Sequence, residues 1–164
     1  MRATRTAVTG LTVLTGLLAL ALTGCGTDER DRFDDRVDEL TGAVPSCVAD
    51  GCVPEVDALR APLAALPGVE GIEALGYLEA SATDGASVGG RLVVAPGVVC
   101  QDLAERVAEL AWRSSVAPLD AVQFQCVEPG AAPQDGPANN LSALVRPASE
   151  DQLAAWGERG TLGR

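Results

Sequence analysis

Apolar residues recur along this chain at two kinds of spacing, and the spacing changes where turn residues cluster. Phe33, Val37, Leu40 and Val44 follow steps of four, three and four, the period of one helix face. Thr27 or Asp28 suits the start of that helix. Val56, Leu59, Leu63 and Leu66 mark a second helix over 55–66, stopped by Pro67-Gly68 and expected to kink or split at Pro62. Two apolar runs, 72–81 and 87–95, then read as strands, joined by Thr83-Asp84-Gly85, an Asp-Gly hairpin signal. Leu103, Val107, Leu110 and Ala111 line one face of a helix over 102–113. A third strand is expected over 120–127, followed by a Pro-, Gly- and Asn-rich loop over 129–140. A fourth strand spans 141–146, and Ser149-Glu150-Asp151-Gln152 forms a capping box that opens a last helix through Trp156.

From Ile72 onward the order is strand, strand, helix, strand, strand, helix. The expected fold is α+β: a small four-stranded sheet covered on one face by helices, in ββαββα order after an N-terminal helical segment. That order resembles a ferredoxin-like plait entered at a different strand. The halves also echo each other weakly, Val94-Ala95-Pro96 with Val145-Arg146-Pro147 and Asp102-Leu103-Ala104 with Gln152-Leu153-Ala154.

Before the first helix the pattern is of another kind. Arg2 and Arg5 precede an apolar stretch over 7–22 that is broken by Thr and Gly and ends in small residues. This is the layout of an export signal rather than of a spanning helix. It closes on Leu22-Thr23-Gly24-Cys25, which resembles the lipobox of bacterial lipoproteins. The resemblance covers the first 25 residues. It implies removal of residues 1–24, a diacylglyceryl group with fatty acyl chains such as palmitate on Cys25, and residence on the extracytoplasmic face of the cell membrane. Two acyl chains hold a protein on a bilayer stably, at about 0.8 kcal/mol per buried methylene. Residues 25–45 then read as an acidic tether whose apolar stripe docks on its own domain, and 46–164 as a single domain.

Charge and cysteines sharpen this picture. Beyond residue 24 lie ten arginines and all twenty-three acidic residues, a formal charge of −13. Nucleic acid and anionic headgroups repel such a body, so the expected membrane contact is the lipid and nucleic acid is not an expected partner. Setting Cys25 apart leaves Cys47, Cys52, Cys100 and Cys126, an even set suited to disulfides in an exported domain. If the second and third strands flank a right-handed helical crossover they run parallel. The helix start and the third strand's end then share one sheet edge, which pairs Cys100 with Cys126 and leaves Cys47 to pair with Cys52. The longer bridge closes a loop of about 25 residues, worth about 3 kcal/mol. A redox pair or a four-thiolate zinc site fits these spacings poorly.

Candidate chemistry is sparse. The chain has no histidine, which removes Ser-His-Asp and Cys-His catalysis and histidine-ligated metals. Glu105 with Glu109, and Asp34, Asp35, Asp38 and Glu39, offer carboxylates, read as solvated helix faces rather than a glycosidase or calcium site. Trp112 and Trp156 read as core anchors. The expectation is a non-enzymatic lipoprotein without cofactor or metal, whose domain meets an unidentified envelope protein. The alternative is an acidic module that captures a small molecule or cation.

Overall fold

The computed structural model describes residues 27–131 and 139–163; residues 1–24, expected to be an export signal, and Cys25 lie outside the described residues. The elements are α1 (Thr27–Gly42), α2 (Val53–Ala64), β1 (Val69–Leu78), β2 (Ser87–Val94), α3 (Ala104–Arg113), β3 (Ala121–Val127), β4 (Asn140–Leu144) and α4 (Glu150–Trp156). Short 3-10 turns over Val48–Asp50 and Cys100–Leu103 precede α2 and α3.

The strands form one mixed sheet in the order β1-β2-β3-β4, antiparallel at both flanks and parallel between β2 and β3. The fold is α+β, with ββαββα order after two N-terminal helices. Its strand order departs from a ferredoxin-like plait, whose split βαβ unit would leave a strand between β2 and β3. Here β2 and β3 pair directly. A Cβ on Gly89 would stand 2.3 Å from the carbonyl oxygen of Gln123, so glycine lets β2 press directly on β3.

Strand parity divides the sheet. Val88, Leu92 and Val94 of β2, Val122, Phe124 and Cys126 of β3, and Leu141 of β4 are buried in one core. The same core takes Val56, Leu59 and Leu63 from α2, Val107, Ala111 and Trp112 from α3, and Leu153 and Trp156 from α4. Among the described residues, helices cover this face alone.

Several boundaries differ from those the sequence predicts. Helix α2 starts at Val53, and it runs through Pro62 rather than splitting there. Pro62 lies in the final turn, so its missing N–H costs a single bond near an end that already frays. Strand β1 lies three residues earlier than expected, because Val69 pairs with Val94 and the chain leaves the sheet after Leu78. The hairpin connection is consequently the longer stretch 79–86. There Ser81 Oγ accepts from the backbone N–H groups of Thr83 and Asp84, at 3.3 and 3.1 Å. Asp120 Oδ2 accepts from Ala86 N at 2.7 Å and ties the loop's end to β3. Strand β4 stops at Leu144, two residues short of the expected end.

Helix α1 packs on the domain. Val37 is fully buried in the common core, with Phe33 and Leu40 against it. Arg146, just beyond β4, donates to Asp38 at 2.6 Å and Asp34 at 3.0 Å, and Arg36 pairs with Glu150 at 3.3 Å.

Candidate functional site

The four described cysteines form two disulfides in the expected pairing. Cys100 and Cys126 are joined across 26 positions with their Cα atoms 5.7 Å apart. The parallel β2–β3 pairing sets Cys126 opposite Leu92, near the strand end from which the chain crosses to α3. Cys47 and Cys52 are joined across five positions, with Cα atoms 4.8 Å apart, around the 3-10 turn. Cys47 also donates its backbone N–H to the carbonyl of Ala117 at 2.9 Å, which fastens this turn to the segment before β3. All four are buried. The thiol set aside by sequence, Cys25, lies outside the described residues.

The sheet's second face carries the exposed polar chemistry. Register sets Glu73, Arg91, Gln125 and Asn140 in one row across the four strands, and Gly76, Gly89, Gln123 and Ser142 in the next. Arg91 Nη1 donates to Glu73 Oε2 at 3.1 Å, so the charges in the first row oppose each other. A shallow concavity of about 490 Å³ lies along Gln123, Gln125, Asn140 and Ser142. A second, of about 400 Å³, lies beside the ion pair and is bounded by Val127 and Glu128. Leu78 and Leu144 stand exposed at the two flanks. The face therefore offers hydrogen-bond donors and acceptors with little net charge, on a body that is strongly acidic elsewhere.

The other expected groups are dispersed. Glu109 is shared by Arg106 at 3.7 Å and Arg113 at 3.8 Å along α3. Asp34 and Asp38 are held by Arg146, whose guanidinium pKa those two hydrogen bonds raise, Asp38 first. No group of three potential metal ligands occurs among the described residues. No described helix is long and apolar enough to cross a membrane. Trp112 and Trp156 are buried on the helix side, away from the open face.

Two features escape the sequence pattern. Arg159 is 7% exposed, lies 5.1 Å over the Trp112 ring and donates through Nη2 to the Val116 carbonyl at 3.0 Å. Burial lowers its pKa, and Asp120 opposes that shift. Arg146 is the other: nothing local to it announces the two carboxylates of α1, over a hundred positions away. The spacing of Asp34 and Asp38, one helical turn apart, is the sole available signal.

Comparison with protein-family models, curated proteins and solved structures finds no match to this chain.

Proposed function

We propose that this chain is an exported lipoprotein, held on the extracytoplasmic face of the cell membrane by a lipid on Cys25, whose α+β domain is a non-enzymatic interaction module. The supporting observation is the cysteine arrangement. Four cysteines pair among themselves inside the domain, and the fifth lies apart in Leu22-Thr23-Gly24-Cys25, behind an apolar export segment. Buried disulfides suit an oxidising compartment, and a cysteine outside the paired set is available for acylation. The partner is an envelope component that meets the open sheet face, where Gln123, Gln125, Asn140 and Ser142 beside the Glu73–Arg91 ion pair supply directional contacts. Cell fractionation with mass analysis of the N-terminal peptide tests the anchor. The expected result is membrane association and a diacylglyceryl-modified Cys25, with Cys25→Ala unprocessed or released. Unmodified Cys25 in a membrane-retained chain overturns it. Crosslinking of the acylated protein on intact cells tests the module: one reproducible partner is expected, lost when Gln123 and Ser142 are both replaced by Arg.

The concavity along Gln123 to Ser142 also favours a second reading, capture of a small polar ligand on the same face. A ligand that raises the melting temperature of the isolated domain, and fails to do so in the same double variant, would establish it.

A further inference from the structure

The segment that would join the lipid to the domain has almost no slack. Helix α1 begins at Thr27, two residues after Cys25, and continues for 16 residues. Its docking surface starts only at Phe33, which packs on the core together with Leu40 and the fully buried Val37. Residues 28–32 span more than one turn and are exposed on every side. Thus about 9 Å of helix precedes the first packed residue, at 1.5 Å per residue. The two chain steps from Cys25 to Thr27 add at most about 7 Å.

The dock itself is fixed in rotation. Arg146 takes Asp34 and Asp38 at once, through its two terminal nitrogens, from the end of β4. On the opposite flank Arg36 meets Glu150 at the start of α4. With Val37 between these ion pairs, α1 is held at three points and cannot roll without exposing an apolar side chain.

Resting on the lipoprotein reading, we infer that α1 is a rigid stand-off that sets how far the domain can stand above the bilayer. Charge gives such a post a purpose. The body carries a formal charge of −13 beyond residue 24, and anionic headgroups repel it over a screening length of about 8 Å. A post of about 9 Å plus its short link keeps the body roughly one to two screening lengths from the surface. A slack tether of the same sequence would let that repulsion push the domain outward and turn it freely. The stand-off restricts the open sheet face to partners found close to the membrane.

The domain's two tryptophans, Trp112 and Trp156, allow a direct test. The full acylated protein is reconstituted in phosphatidylcholine–phosphatidylglycerol vesicles carrying a dansylated lipid, and tryptophan-to-dansyl energy transfer is measured alongside vesicle flotation. Two variants are compared: Arg146→Glu, which turns the clasp on Asp34 and Asp38 into repulsion, and a Gly-Ser insert of about twelve residues before Thr27, whose root-mean-square span is about 19 Å. The expected result is flotation of all three proteins, with transfer severalfold weaker in both variants, a melting temperature close to the parent for the insert and a lower one for Arg146→Glu, whose released α1 uncovers Val37. Flotation with transfer unchanged in both variants overturns the stand-off and leaves the lipid anchor intact. Failure of the parent protein to float, or flotation of a parent whose Cys25 carries no lipid by mass, overturns the anchor reading instead. A loss confined to the insert also overturns the inference, because it would mean that the Arg146 clasp does not hold the post.

Discussion

Cys100 and Cys126 meet with their Cα atoms 5.7 Å apart because β2 and β3 run parallel as direct neighbours. The bridge spans the whole crossover, closing α3 and the chain into β3 in one covalent loop. On the loop-entropy account a closure of that length is worth about 3 kcal/mol, and the Cys47–Cys52 bridge about 2 kcal/mol. Replacing Cys100 and Cys126 together by Ala should therefore destabilise the domain more than replacing Cys47 and Cys52. Urea unfolding of the two double variants at neutral pH reads the difference, and equal midpoints would refute the ordering.

Tyr77 provides a clean pH reporter, being the single tyrosine of the chain. Its hydroxyl donates to the Pro118 carbonyl at 3.1 Å. Burial, then the charges of Glu79 and Asp120, raise its pKa above the ordinary 10.0. In the unfolded chain the phenol loses its proton first, so the folded state binds more protons in the interval between the two values. Its stabilising contribution is complete below pH 10 and is lost as pH rises through the higher folded value. Absorbance titration of the native protein should show a midpoint above that of the urea-unfolded chain. Coincident midpoints would contradict it.

The facing glycines Gly76 and Gly89 should behave oppositely. A Cβ at Gly89 meets the Gln123 carbonyl at 2.3 Å, whereas one at Gly76 meets nothing within 4 Å. Gly89→Ala should prise β2 from β3, a destabilisation of several kcal/mol of the overpacking kind. Gly76→Ala should be neutral or gain up to about 1 kcal/mol from the reduced freedom of the unfolded chain. Thermal melts of the two variants decide.

Ser149 Oγ accepts from Gln152 N at 3.2 Å, and Gln152 Oε1 accepts in turn from Ala148 N at 2.7 Å. Removing the cap with Ser149→Ala should cost about 1 kcal/mol, with Ser149→Asp restoring most of it. Loss unrelieved by Asp would place the effect elsewhere than in the cap.

These features were unequally legible in the sequence. Helix faces built on Val56, Leu59 and Leu63, or on Leu103 and Val107, announce themselves through periodicity, and the Ser149 box through its spacing. The pairing of Cys100 with Cys126 follows from the strand–helix–strand order once the crossover is taken as right-handed. The register of β1 was not legible, because its bulges break the alternation: Ala74 has a positive φ of 52°, and pairing shifts between Glu73 and Gly76. The open face was hidden for a related reason. Glu73, Arg91, Gln125 and Asn140 are scattered along the chain, and only the register aligns them. The strand order differs from a ferredoxin-like plait because element order does not state which strands touch; the direct β2–β3 pairing does.

Residues 157–162 are worked into the body. Trp112 Nε1 donates to the Gly157 carbonyl at 2.9 Å, Arg159 lies under cover on the same ring, and Leu162 N donates to the Arg113 carbonyl at 2.7 Å. Lifting this segment must pull a guanidinium out of the interior and break both bonds to α3. Its opening is thereby tied to the stability of the core, so a protease should cut the exposed stretch 79–86 before it cuts residues 157–162.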